Sequence, residues 1–175
     1  MNKDLIYIGV VSSYSVKNQF LVLKDIPPEF PNIHSEIDIY IGFSTNFLDK
    51  LKISKIENRK TNIHIFLTNE IKQNLELFLR MGVYVERSTV EKYKANYYGP
   101  EDLLDCLVFD QDNNLIGRVV DVHILPTQFV IYTDSDTYTL ALPFTKEIII
   151  EFDLKDKKIK LDLPENYMDL AELKG

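Results

Sequence analysis

The chain has 175 residues, of which 45% are hydrophobic and 27% charged, and its formal net charge is −7. That charge argues against a protein that holds naked nucleic acid by neutralising phosphates, because such proteins carry a basic surface. The single cysteine excludes an intrachain disulfide framework and fits a reducing compartment.

The acidic charge has two interpretations. By itself it keeps a protein soluble. It also indicates that any partner is at least partly a basic protein. Ten Tyr and ten Phe, together with many Val, Ile and Thr, favour strands over helices.

The first half is predicted to contain six short strands. Residues 36–42 show the clearest pattern, because three isoleucines alternate with Asp38 and Tyr40, as in a half-buried strand. A weaker alternation starts at Leu51 and breaks at Lys55. The predicted strands are Leu5–Val11, Phe20–Leu23, Glu36–Gly42, Leu51–Ile56, Asn62–Leu67 and Val83–Val85.

A helical pattern follows in residues 70–80, where an apolar stripe runs from Ile71 to Leu79. Thr68 or Asn69 would cap this helix, and Gly82 would end it. Six strands with one late helix fit a small barrel whose open end is plugged by that helix.

Residues 89–96 are polar and charged, and they are predicted to form a short helical linker between two domains, residues 1–88 and 97–175. The second domain reads almost entirely as short strands. A cluster of Asp and Asn at 110–114 is typical of a hairpin turn. The regular spacing of strands and turns predicts a barrel or sandwich, and Tyr167–Leu173 is predicted to form a short closing helix.

The sequence holds no arrangement typical of a catalytic or metal site. His34, His64 and His123 are far apart and have no metal-ligand spacing. Residues 110–121 resemble the start of a calcium loop but have Leu115 where that loop requires glycine. Glycine-rich phosphate motifs are absent from the sequence. No catalytic residue, metal or cofactor is therefore predicted.

Cys106 lies among apolar residues and is predicted to be a small core residue, not a nucleophile. The N-terminus lacks the features of a signal peptide, and no apolar stretch is long enough for a membrane helix. The sequence therefore predicts a soluble cytoplasmic protein without membrane contact.

Residues 97–165 carry short motifs in a specific order. They are Tyr97-Tyr98, Glu101–Leu104, Asn114–Val122, Leu140–Pro143, Ile148–Asp153, Lys158–Leu161 and Leu163–Glu165. In this order they resemble the C-terminal PRC-barrel of the RimM family of ribosome maturation factors. The resemblance implies an all-β fold of two small β-barrels in tandem, with one late helix in the first.

The first half resembles the same family less closely. Gly9 and Lys17 stand in register with a family glycine and a loop lysine, but Tyr14 replaces the loop's histidine. Ser15 and Asn18 replace two of its glycines. Losing glycines changes the path of a loop, although asparagine still tolerates a left-handed backbone.

The resemblance implies a monomeric, non-catalytic factor that helps to fold the head of the small ribosomal subunit. Such factors bind the head protein that is numbered nineteenth, together with nearby rRNA. An acidic factor that meets a basic ribosomal protein agrees with the charge. Two alternatives stay open: a PRC-barrel adaptor for a non-ribosomal protein partner, and an enzyme with an unrecognised site between the barrels.

The predicted contact residues are Tyr97, Tyr98, Lys17, Tyr14 and Phe144. Two adjacent tyrosines in a turn either pack inward or present a ring, and an exposed tyrosine gives a large contact area at low entropic cost. On the second interpretation, changing both to alanine weakens subunit binding and leaves thermal unfolding near wild type. Phe144, expected in a loop, either contacts the partner or covers the end of the barrel.

A local basic cluster surrounds an expected turn at residues 56–58 and comprises Lys52, Lys55, Arg59 and Lys60. It is predicted to be a solvated loop. An alternative is a minor contact with rRNA phosphate.

Overall fold

The structure is a computed structural model that describes residues 4–59, 61–68, 74–125 and 128–174. The chain forms two compact units, Met1–Gly99 and Pro100–Gly175. Among the described residues, no helix is long and apolar enough to cross a membrane.

Six strands of the first unit form a closed barrel in the order β1-β2-β5-β4-β3-β6. Every neighbouring pair is antiparallel. The strands are β1 Leu5–Ser15, β2 Phe20–Lys24, β3 Ile37–Ser44, β4 Phe47–Asn58, β5 Ile63–Leu67 and β6 Gly82–Glu86. All six predicted strands of this half are confirmed.

Because neighbouring strands are antiparallel, the connections between them lie at two opposite ends of the barrel. The β1–β2 and β3–β4 hairpins and the β5–β6 connection leave the barrel at one end, which we call the hairpin end and define as residues 16–19, 43–50 and 74–81. The β2–β3 and β4–β5 connections lie at the opposite end. The chain leaves β6 there, and we call it the exit end.

Alternating apolar side chains fill the barrel. In β5, Ile63, Ile65 and Leu67 are buried, and His64 and Phe66 lie on the outer face. Most buried members of this core are isoleucine, leucine and valine, which suit a pleated strand. Burying one such side chain contributes about 1.5–3 kcal/mol. The core therefore follows the period-two pattern of the sequence.

A short 3-10 helix, Leu75–Phe78, closes the hairpin end by burying Leu75 and Phe78 in the barrel core. Its cap is Asn74, whose side-chain oxygen accepts a hydrogen bond from the Glu76 backbone amide at 3.2 Å. Residues 69–73, which include one of the two predicted caps, lie outside the described residues.

Two predictions for this segment are wrong. Thr68 does not cap the described helix, because the cap is Asn74, and the Thr68 hydroxyl donates to the carbonyl oxygen of Lys52. Gly82 does not terminate the helix, because it begins β6, and the left-handed residue after the helix is Arg80, with φ of 67°. The plug itself is nevertheless where the sequence predicted it.

The predicted linker, residues 89–96, begins inside a helix of the first unit, α1 Arg87–Glu91. Val90 is fully buried in the barrel core. The division between the two units falls between Gly99 and Pro100.

The second unit is a seven-stranded sheet in the order β11-β12-β7-β8-β9-β10-β13, in which only the β12–β7 pair is parallel. Helix α2, Pro100–Leu103, precedes it. The strands are β7 Leu107–Phe109, β8 Leu115–Ile124, β9 Phe129–Asp134, β10 Tyr138–Phe144, β11 Ile149–Asp153, β12 Lys158–Leu161 and β13 Glu172–Leu173. The predicted closing helix is a 3-10 helix at Tyr167–Leu170 that ends before β13.

Asp110 organises the turn between β7 and β8, as the Asp/Asn cluster predicted. Its carboxylate accepts hydrogen bonds from the Asp112 and Asn114 backbone amides at 2.9 and 2.8 Å, and from the Asn114 side chain at 2.8 Å. The Tyr167 hydroxyl donates to it at 3.3 Å. Asn113 takes the left-handed conformation, with φ of 67°. The turn thus ties the C-terminal 3-10 helix to the sheet.

Burial raises the pKa of Asp110, but the hydrogen bonds from Asn114 and Asp112 outweigh it and hold that pKa below its ordinary value. Because the folded-state pKa is lowered, the stabilisation is present above the ordinary pKa and is lost as pH falls through the folded value. We expect Asp110→Asn to cost about 1–3 kcal/mol of unfolding free energy at pH 7 and to flatten the acid side of the stability profile. Chemical denaturation between pH 3 and 7 measures both effects.

The matched control for this prediction is Asp112→Asn, because Asp112 is exposed and only its backbone amide contacts Asp110. Equal stability of the two variants at every pH would show that the Asp110 carboxylate does not hold the turn.

Candidate partner-binding surfaces

Tyr97 is part of the core of the first unit. It is 3% exposed, and its ring meets Phe30 edge to face at a centroid distance of 5.7 Å and an interplanar angle of 89°. The Lys94 amine lies 5.8 Å from the ring centroid and binds the Glu29 carboxylate at 2.6 Å. The burial of Tyr97 departs from the predicted contact role, because a ring in this position presents almost no surface to a partner.

Tyr98 differs from its neighbour because it is only half-buried. The backbone before it is fixed by Arg87, whose guanidinium donates to the Tyr97 carbonyl oxygen at 3.4 Å and to the Asp4 carboxylate at 2.7 Å. Tyr98 therefore lies on a segment held at the exit end. A contact role for Tyr98 stays a prediction.

Tyr14 and Lys17 lie on the β1–β2 hairpin at the opposite end of the barrel. Tyr14 is half-buried against the core, and Lys17 is exposed. The turn is closed by the Asn18 amide, which donates to Ser15 Oγ at 3.2 Å. The left-handed residue is Gln19, with φ of 51°. The sequence indicated only that Asn18 could take that conformation.

The structure therefore does not bring the predicted contact residues of the first unit together. Tyr98 follows β6 at the exit end, and Tyr14 and Lys17 belong to a hairpin that extends from the other end. A partner that touches all three must reach along the barrel, or the two ends serve different contacts.

Phe144 does not lie in a loop. It is the last residue of β10, is 3% exposed, and meets Phe152 edge to face at 5.3 Å and 78°. The interpretation in which it covers the hydrophobic interior fits this position. The predicted partner contact does not, because its ring is already used in packing.

Two of the four cations in the basic cluster are paired with one carboxylate, that of Glu57. Lys55 and Arg59 both bind the Glu57 carboxylate, at 2.5 and 2.9 Å, and these hydrogen bonds lower the pKa of Glu57. The Lys55 amine also lies 4.2 Å from the centroid of the Phe66 ring. Residues 56–58 belong to β4 and not to a turn, and Lys60 lies outside the described residues. Lys55 and Arg59 thus share the charge of one carboxylate, which weakens the attraction of this pair for a phosphate.

Sequence reasoning missed two aromatic residues at the hairpin end. Phe43 is 73% exposed and Phe47 is 84% exposed. They flank the two-residue turn of the β3–β4 hairpin, where Ser44 pairs with Phe47. Gly42 permits this geometry, because a Cβ there would meet the Phe47 carbonyl oxygen at 2.2 Å. The signal was present as two phenylalanines around Thr45-Asn46, a turn-forming pair.

The described residues contain no group of three or more His, Cys, Asp or Glu side chains that could hold a metal ion. Cys106 is fully buried, as predicted. Burial raises the pKa of its thiol, and its Sγ lies 3.6 Å from the Asp102 carbonyl oxygen. The Cys106 side chain is therefore a buried core residue.

Residues 100–167 match the model of the family described as RimM PRC barrel domain. Together with the seven-stranded sheet, this match defines the second unit as a PRC barrel domain of the RimM type. Three bacterial proteins named ribosome maturation factor RimM extend the similarity into the first unit. The chain is therefore similar to ribosome maturation factors of the RimM type along most of its length.

The relative from Clostridium botulinum is 26% identical over 149 residues, which cover 78% of this chain and 90% of that protein. The relatives from Ehrlichia ruminantium and Francisella tularensis are 22% and 24% identical over 169 residues, which cover 94% and 95% of this chain and 95% and 100% of those proteins. A crystal structure of a 16S ribosomal RNA processing protein RimM from Pseudomonas aeruginosa superposes on 94% of the chain at 15% identity, with a TM-score of only 0.38.

The contrast between the two tyrosines gives a stability test. We expect Tyr97→Ala to lower the unfolding free energy by about 3 kcal/mol, because it removes a buried aromatic ring. Tyr98→Ala should cost about 1 kcal/mol at most. Urea denaturation measures both, and Tyr97→Phe, which keeps the ring, is the control. Equal losses for the two alanine variants would contradict the burial difference. A double alanine variant should therefore unfold more easily than wild type, contrary to the sequence prediction.

Proposed function

We propose that this protein is a ribosome maturation factor that acts by binding the head of the small ribosomal subunit during assembly. Its direct partner would be the basic head protein numbered nineteenth. The observation that carries the proposal is the match of the second unit to the RimM PRC barrel domain, combined with similarity to factors of that name along most of the chain. Such a role places the protein in the cytoplasm.

The charge of the chain supports a protein as the principal partner. The net charge of −7 disfavours a surface that binds RNA phosphates, and two cations of the basic cluster already bind Glu57. An acidic factor approaches a basic ribosomal protein with favourable long-range attraction. Contact with rRNA is therefore a secondary part of the proposal.

The mechanism would consist of binding without bond-making chemistry. A factor of this kind shifts a conformational equilibrium only by its differential affinity for the two states. It would hold one arrangement of the subunit head until later contacts form. Absence of the factor should then leave ends of the rRNA unprocessed.

A second function is favoured by one observation. The β1–β2 hairpin departs from the family pattern at Tyr14, Ser15 and Asn18, and its left-handed residue is Gln19. An altered loop, combined with a second unit that matches the family model, would suit an adaptor that binds a non-ribosomal protein.

The decisive measurement is co-sedimentation of the purified full-length protein with small subunits and their precursors. We expect wild type to bind in low salt and to bind more weakly in high salt, because opposite charges contribute to the attraction. Recovery of a non-ribosomal protein instead of subunits, in a pull-down from the same cells, would favour the adaptor.

Tyr98→Ala tests the contact at the exit end. We expect it to lower subunit affinity by about tenfold, a typical effect for an aromatic interface residue, with little change in melting temperature. Tyr93→Ala is the matched control, because Tyr93 is a nearby tyrosine that is 41% exposed and bonded to Ser35. If the two variants bind equally well, Tyr98 is not a contact residue.

A further inference from the structure

The exposed apolar side chains of the first unit are concentrated at one end of the barrel. Among its described residues, five large hydrophobic side chains are exposed, and four of them belong to the hairpin end. The four are Val16 at 61%, Phe43 at 73%, Phe47 at 84% and Leu77 at 64%. Single exposed apolar residues are normal on a protein surface. Here, however, four exposed apolar side chains lie on three connections at the same end of the barrel, and such a concentration indicates an interaction site.

These side chains are carried on a firm framework. Phe43 and Phe47 flank a two-residue turn whose strands are paired on both sides of the bulge between Ile41 and Ser44. Leu77 belongs to the 3-10 helix whose other side buries Leu75 and Phe78 in the core. Aromatic rings on a paired hairpin lose little conformational freedom on binding. The hairpin end therefore presents an apolar surface that is already ordered.

Charge at the hairpin end decides which class of partner fits. Its charged residues are Lys17, Asp49, Lys50, Glu76 and Arg80. Lys50 is already bound to the Asp38 carboxylate at 2.6 Å, so the remaining two cations are balanced by two anions. A site that binds RNA combines its aromatic rings with a surplus of positive charge, and this end has no such surplus. Two of its four exposed apolar side chains are aliphatic and offer no ring for stacking on bases.

We propose that the hairpin end docks on an apolar patch of a protein component of the small-subunit precursor. The inference rests on the proposed function and adds a second contact, at the end of the barrel opposite Tyr98. The two phenylalanine rings supply its centre, and Val16 and Leu77 extend the apolar area. The contact differs in kind from the acidic attraction of the whole chain, because it is neutral and insensitive to salt.

A photo-reactive phenylalanine analogue at position 47 tests the identity of the partner. The full-length protein is irradiated in complex with small-subunit precursors, and the crosslinked species are identified by mass spectrometry and nuclease treatment. Crosslinking to a ribosomal protein supports the inference. Crosslinking to rRNA, to a second copy of this chain, or to nothing overturns it.

Phe43→Ser combined with Phe47→Ser tests the energetics. Both side chains are largely exposed, so we expect the melting temperature to stay near wild type while subunit affinity falls at least tenfold. The loss should be equal in low and high salt. Val120→Ser is the matched control, since Val120 is a 55% exposed apolar residue on a strand of the second unit. Unchanged affinity of the double variant overturns the inference.

The experiment separates the two proposals. If wild type itself fails to bind small subunits or their precursors, the proposed function fails. If wild type binds and the double serine variant binds equally well, the proposed function survives and only the hairpin-end contact is refuted.

Discussion

Closure of the first barrel is the constraint on which the other features of that unit depend. Every strand is hydrogen-bonded to two antiparallel neighbours, which leaves no open edge for unwanted pairing. Closure forces one face of each strand inward, and isoleucine, leucine and valine fill the interior. It also divides the connections between two ends. Because of that division, the β1–β2 and β3–β4 hairpins share one end with the 3-10 plug, while Tyr97 and Tyr98 follow the last strand at the other.

Much of this architecture could be predicted from the sequence, because a half-buried strand has an apolar residue at every second position and this alternation is visible in the sequence. Residues 63–67 show the point, since their alternating apolar residues are the buried ones. The break that the sequence showed at Lys55 is a β-bulge, because the pairing of β4 with β5 shifts between Ile53 and Lys55. The break in the sequence pattern therefore corresponds to an irregularity in the strand itself.

The candidate contacts were less predictable, because exposure depends on residues distant in sequence. Tyr97 is buried by Phe30, which precedes it by more than sixty positions, and no local pattern reveals that partner. Phe144 packs against Phe152, which is close in sequence but lies on another strand, so this contact also depends on how the strands fold together. Phe43 and Phe47 differ from these two residues because they are exposed. They flank a tight hairpin turn, although large aromatic residues usually indicate a core.

The acidic attraction proposed for the whole chain and the apolar contact proposed for the hairpin end have different physical characters, and the difference would matter for assembly. Long-range attraction between an acidic factor and a basic ribosomal protein raises the rate of encounter and weakens in salt. An apolar contact acts only after encounter, over short distances, and it contributes through the surface it removes from water. A factor that must bind an unfinished particle and leave the finished one needs the second kind of contact to depend on the state of the particle. The proposed contact at the hairpin end would meet that need, because an apolar surface binds tightly only where an apolar patch of the particle is still uncovered. On this proposal, burial of that patch by later contacts would leave only a weak, screened attraction, and the factor would dissociate.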